Sequence, residues 1–143
     1  MTCVVDASVA LKWFIAEEPH WPEALRLVQS GEILIAPDLL VAETCNAGWR
    51  SLRSARVSYA QLERIATALP QYITEFFRAA PLAPRAVAIA VQLDHPVYDC
   101  LYLALAEARQ VPLVTADGRL LAKLRGSPWA GAAIHLADYR SVG

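Results

Sequence analysis

The chain has 143 residues, close to the roughly 150 of one globular unit, so a single domain over residues 1–143 is expected. Hydrophobic residues make up 56% and charged residues 19%, with a mean hydropathy of +0.32; this is too apolar for a disordered chain and fills a core without disulfides or a structural metal. Thirteen basic residues against fourteen acidic leave a net charge of −1, which excludes a broadly basic nucleic-acid coat and confines any nucleic-acid contact to a local patch.

The longest apolar run, Cys100 to Ala106, falls far short of the ~20 residues that cross a bilayer, so no membrane association is expected. No basic segment precedes an apolar stretch at the N-terminus, where Asp6 already stands, so no secretory signal is expected. Cys3, Cys45 and Cys100 form no C-x-x-C pair. They read as buried thiols of a reducing compartment, and the expected location is cytoplasmic.

Taken in order, Cys3-Val4-Val5 reads as a strand and Ser8 to Ile15 as a helix. Pro22 and Glu23 suit the first turn of a second helix that stops at Gly31, and Ile33-Leu34-Ile35 follows as a strand. Asp38 can cap a helix to about Ser54, and Ser58 with Gln61 makes a capping box for another that ends before Pro70. Residues 71–80 are ambiguous between helix and loop. Pro84 and Pro96 fit the first turns of helices ending near Leu93 and Arg109. Pro112 to Thr115 is the third strand, Leu120, Leu121 and Leu124 mark a short helix, and Ile134-His135-Leu136 is the last strand. Short apolar strands alternating with helices predict a three-layer α/β/α domain with a short, mainly parallel central sheet, whose ligands sit beyond the carboxyl ends of the strands.

Asp6 and Asp117 each follow an apolar strand and so emerge at that edge, while Asp99 falls in the first turn of a helix. Glu43 sits within a helix among Leu39, Leu40, Val41, Ala42 and Cys45, on one face with Asn46 and Arg50. Taken singly, these acids read as caps, a dipole-favoured first-turn residue and a surface group or partner of Arg50. Together at one sheet edge they repel unless a cation or shared protons lie among them. An all-oxygen donor set selects a hard ion, Mg²⁺ or Mn²⁺, which points to phosphate chemistry.

Four ordered blocks then carry a resemblance: Val4-Val5-Asp6-Ala7-Ser8, Pro37 to Glu43 with Asn46, Val97-Tyr98-Asp99-Cys100 on to Ala106, and Leu113-Val114-Thr115-Ala116-Asp117. In order and spacing the chain resembles the PIN-domain ribonucleases, and among them the VapC toxins of toxin–antitoxin pairs, from Val4 to about Leu121. The resemblance implies a PIN-like fold and a metal-dependent endoribonuclease in which Asp6, Glu43, Asp99 and Asp117 are the catalytic, metal-holding quartet. Ser8, Asn46 and Thr115 are then the supporting polar residues of the site. Asp6 and Asp99 would be principal ligands, with Glu43 and Asp117 acting through water or on a second ion. It further implies a homodimer and a VapB-like antitoxin lying across hydrophobic grooves.

Cations for the RNA backbone are offered by Lys12, Arg50, Arg53, Arg56, Arg119, Lys123 and Arg125, the first Arg trio at a three-residue spacing that could form a helical stripe. His20, His95 and His135 show no ligand spacing, and the tryptophans read as packing residues. Two other uses of the fold compete with the toxin: a PIN nuclease of RNA processing, and a catalytically silent module that binds RNA or protein. An aspartyl-phosphate enzyme of the haloacid-dehalogenase kind would need an acid at position 8, which is Ser8.

Overall fold

The computed structural model describes residues 1–141; the last two residues of the expected domain lie outside them. Its elements are β1 (Thr2–Val5), α1 (Ala7–Ala10), a 3-10 turn (Leu11–Trp13), α2 (Trp21–Gln29), β2 (Ile33–Pro37), α3 (Leu39–Arg53) and α4 (Tyr59–Tyr72). They continue with β3 (Glu75–Phe77), α5 (Ala79–Leu93), α6 (Val97–Arg109), β4 (Leu113–Thr115), α7 (Gly118–Leu124) and β5 (Ala133–His135).

The five strands form one sheet in the order β3-β2-β1-β4-β5, and every pairing is parallel. In β1, Cys3, Val4 and Val5 are all fully buried. Because successive strand residues point to opposite faces, both faces of the sheet are covered, as the α/β/α expectation requires. Helix α6 packs on β1, β2 and β4 with α5 alongside it, and α3 packs on β2 with α4 against it. The unbroken buried run Cys100 to Ala106 fits a helix enclosed on all sides.

Four local readings are corrected. The helix expected from Ser8 to Ile15 is shorter: α1 ends at Ala10 and tightens into the 3-10 turn. Helix α4 continues through Pro70 to Tyr72, past the expected stop, and only the last turn lies beyond the bond that the proline forfeits. The ambiguous stretch 71–80 holds a fifth strand, β3, whose Ile35↔Glu75 register extends the sheet beyond β2. Helix α5 starts five residues before Pro84, leaving that proline inside the helix. The capping box of Ser58 and Gln61 is formed, and Gly31, at φ +80, ends the second helix region as expected. Asp38 stands at the cap of α3, but its side chain accepts from the Ala79 N–H, 3.2 Å away, at the start of α5.

Candidate functional site: an acidic cavity at the sheet's carboxyl edge

From β1 the chain passes to β2 on one side, while β4 lies on the other, so the crevice beyond β1 and β4 is the switch point where α/β sheets hold ligands. Asp6 follows β1 directly and caps α1, its Oδ1 accepting from the Ser8 N–H at 3.1 Å and the Val9 N–H at 3.3 Å. The Ser8 hydroxyl donates to the same oxygen at 2.6 Å, and the Thr115 hydroxyl donates to Oδ2. Ser8 Oγ in turn accepts from the Ala116 N–H at 2.8 Å, and Thr115 Oγ1 from the Asp117 N–H at 3.0 Å. The ends of β1 and β4 are thus tied together around one carboxylate. Burial pushes the Asp6 carboxyl up to about 6, against the hydrogen bonds from Ser8, Thr115 and Val9 that favour its charge.

Glu43 projects from α3 and accepts from the Tyr102 hydroxyl at 2.7 Å. Its pKa is raised, mainly by burial and further by Asp99, while Tyr102 and Arg50 oppose the rise. Asp99 lies in the first turn of α6, 2.6 Å from His95 Nε2. A carboxylate only accepts, so Nε2 carries the proton in that bond. Asp117 caps α7, accepting from the Arg119 N–H at 2.9 Å and the Leu120 N–H at 3.2 Å. Asp6 and Asp117 therefore fulfil the cap reading while also facing the site.

All four acids line one cavity of about 350 Å³ with Ser8, Lys12, Glu18 and Arg50. Thr115 lies buried beneath Asp6. Asn46, expected as a supporting residue, is exposed and outside that lining. Arg53 and Arg119 are not among the lining residues either; Arg53 stacks over the exposed Trp49 ring, 5.1 Å from its centroid. Arg56 falls beyond the end of α3 and pairs with Glu18 at 3.2 Å, so the expected Arg stripe is not formed. Lys12, expected as a cation for the RNA backbone, lines the cavity and is only 6% exposed. Trp13 and Trp129 are packing residues as expected, whereas Trp49 is 46% exposed.

Three contributors were not singled out as site residues in the sequence: His95, Tyr102 and Glu18. His95 precedes Asp99 by one helical turn, a spacing that signals contact only if the turn before Pro96 is continuous with the helix. Tyr102 is hidden in an apolar run, and its partner Glu43 is 59 positions away.

The donor chemistry fits a hard divalent ion, since the ionisable acceptors facing the cavity are carboxylates and burial raises the pKa of Asp6 and Glu43. Among the described residues, no three His, Cys, Asp or Glu side chains already stand together as a ready-made cage. Mg²⁺ keeps several waters and takes one or two carboxylates, so its coordination does not require one.

These features define an α/β domain with an acidic pocket at its topological switch point. Residues 3–126 match the PIN domain, and the chain belongs to that family, with VapC-type ribonucleases as its relatives. It is 38% identical over 122 residues to Ribonuclease VapC1 of Mycobacterium tuberculosis, covering 84% of this chain and 89% of that protein. Ribonuclease VapC3 of Pyrobaculum aerophilum is 32% identical over 129 residues, covering 86% and 95%. Among solved structures, PAE2754 from Pyrobaculum aerophilum superposes with a TM-score of 0.68 at 28% identity, over 96% of this chain and 90% of that one.

Proposed function

We propose that this protein is an Mg²⁺-dependent endoribonuclease, with Mn²⁺ as the alternative ion, and the toxin of a VapBC-type toxin–antitoxin system in the cytoplasm. The observation that carries the reading is the convergence of Asp6, Glu43, Asp99 and Asp117 on one cavity. Relatives above 30% identity named Ribonuclease VapC support the choice of RNA as substrate.

Asp6 and Asp99 are the principal ligands in this reading, with Glu43 and Asp117 acting through water or on a second ion. A divalent ion held there supplies charge for the scissile phosphate and lowers the pKa of an attacking water. The chain's own residues do the positioning. Ser8 and Thr115 fix the Asp6 carboxylate, His95 fixes Asp99, and Tyr102 fixes Glu43. Arg50, on the cavity wall, takes a phosphate of the RNA backbone, with Arg53 and Arg119 farther out.

Partners follow from the same reading: a VapB-like antitoxin and a second copy of this chain. A strip of Val87, Val91, Val97 and Tyr98, with Val91 79% exposed, supports association through apolar helix surface. Among the described residues no helix is long and apolar enough to cross a membrane.

The test is incubation of the antitoxin-free protein with circular and linear single-stranded RNA, with Mg²⁺, with EDTA, and with Asp99→Asn in place of wild type. Opening of the circle by wild type with Mg²⁺ alone is the expected result. Cleavage confined to the linear RNA contradicts the endonuclease assignment. RNA binding with no cleavage of either form leaves a silent binding module.

A further inference from the structure

Lys12 is held in the 3-10 turn directly after α1, so it enters the acidic cavity from the same short segment as Asp6. The residue is only 6% exposed. Yet its ammonium has no ion-pair partner: among the described residues, the ion pairs of lysine, arginine and histidine do not include it. Glu18, which shares the cavity, is engaged by Arg56. The Asp6 oxygens are taken by Ser8, Val9 and Thr115.

No buried side-chain nitrogen or oxygen among the described residues is both sealed from solvent and unpartnered. The Lys12 ammonium, which lacks a protein partner, therefore opens on the cavity. The aliphatic part of Lys12 is buried while its ammonium reaches the cavity, and burial lowers the lysine's pKa against the opposing charges of Glu18 and Asp6. An ammonium with no protein acceptor of its own is free to donate to an oxygen that enters the cavity from outside. The surrounding carboxylates repel a bare anion, so the entrant must be one that a divalent ion also holds. A phosphodiester meets both conditions.

Resting on the phosphodiesterase reading above, we propose that Lys12 is a catalytic residue whose ammonium donates hydrogen bonds to an oxygen of the scissile phosphate. In the reaction a water oxygen forms a bond to phosphorus. The bond from phosphorus to the leaving ribose oxygen breaks, and its electron pair stays with that oxygen. The water's proton passes to solvent and the leaving oxygen ends as a hydroxyl, so one water is consumed. Lys12 keeps its protons throughout and stabilises the negative charge that grows on the phosphate oxygens.

The experiment compares wild type, Lys12→Met and Lys12→Arg in RNA cleavage at saturating Mg²⁺, with kcat and KM separated, and follows Mg²⁺ binding and thermal unfolding of each. Lys12→Met is expected to lower kcat about 100-fold, the loss typical of removing one oxyanion donor, with KM within about threefold. Its Mg²⁺ affinity should equal or exceed that of wild type, because a cation has left the acidic cavity, and Lys12→Arg should recover part of kcat. A Lys12→Met kcat within about twofold of wild type overturns the proposal and leaves Lys12 as a neutraliser of the acids. A kcat loss that tracks loss of Mg²⁺ binding or of folding in both variants overturns it equally. Should Lys12→Met not fold, Lys12→Gln gives the same comparison. A wild type that cuts no RNA overturns the phosphodiesterase reading itself, and this proposal with it.

Discussion

Asp6 combines two roles that oppose each other energetically. As a cap it is tied by three hydrogen bonds through one oxygen, and as a buried acid its pKa is raised from 3.8 to about 6. Between those values the folded state keeps a proton that the unfolded chain releases, so metal-free stability falls as pH rises through that window. The fall is at most about 3 kcal/mol and is complete above the folded pKa. Asp6→Asn, which keeps an acceptor for the cap, should remove the Asp6 share of this slope: from about pH 4.5 to about pH 7 its metal-free thermal midpoint falls several degrees less than that of wild type, the remainder coming from groups such as Glu43. Tyr102→Phe should act differently. It removes the hydrogen bond that favours charged Glu43, so calorimetry should show Mg²⁺ binding weakened about tenfold, with the far-UV spectrum unchanged. Asp6, Asp99 and Asp117 were legible in the sequence because each follows a recognisable strand end or helix start, and Glu43 because it interrupts an apolar stretch of a helix. Their partners His95 and Tyr102 were not, because those pairings depend on how α6 lies against α3 and on the turn before Pro96.

At the scale of elements, α3 and α4 approach closely at Gly48, where an added Cβ would meet Ile65 Cδ1 at 2.8 Å and Leu62 Cδ1 at 3.0 Å. An alanine displaces only the ends of flexible side chains, but a leucine must part the helices. Gly48→Leu should therefore lower stability by about 2 kcal/mol in urea unfolding. The same helix carries Glu43 to the cavity, so separation there also moves the acid. The sheet's central strands were readable because their β-branched and leucine runs are enclosed by turn residues. Strand β3 was not, since Glu75-Phe76-Phe77 is three residues long and at the sheet's edge, too short for an alternation to register. The start of α5 was misplaced because Pro81 and Pro84 both suit a first turn, and the alanines at 79 and 80 carry no cap signal.

For the whole molecule, a net charge of −1 and a cavity walled by acids leave few cations to meet an RNA backbone. Arg50 and Lys12 line the cavity, while Arg56 is engaged with Glu18. The affinity for single-stranded RNA should consequently vary weakly with salt, with a log–log slope of about −1.4, corresponding to about two phosphate contacts. A steep slope would mean that a basic surface outside the cavity carries binding. Composition excludes a basic coat, and the cavity that holds Lys12 and Arg50 lies at one edge of the sheet.

Whether the four carboxylates form a divalent-metal centre is tested by calorimetric titration of Mg²⁺ into the metal-free protein near pH 6, repeated in buffers of different ionisation heat. Saturable binding that releases protons is expected, because Asp6 is about half protonated there, and it should be lost in Asp99→Asn. No binding heat in wild type, or binding that survives unchanged in Asp99→Asn, would contradict the metal centre.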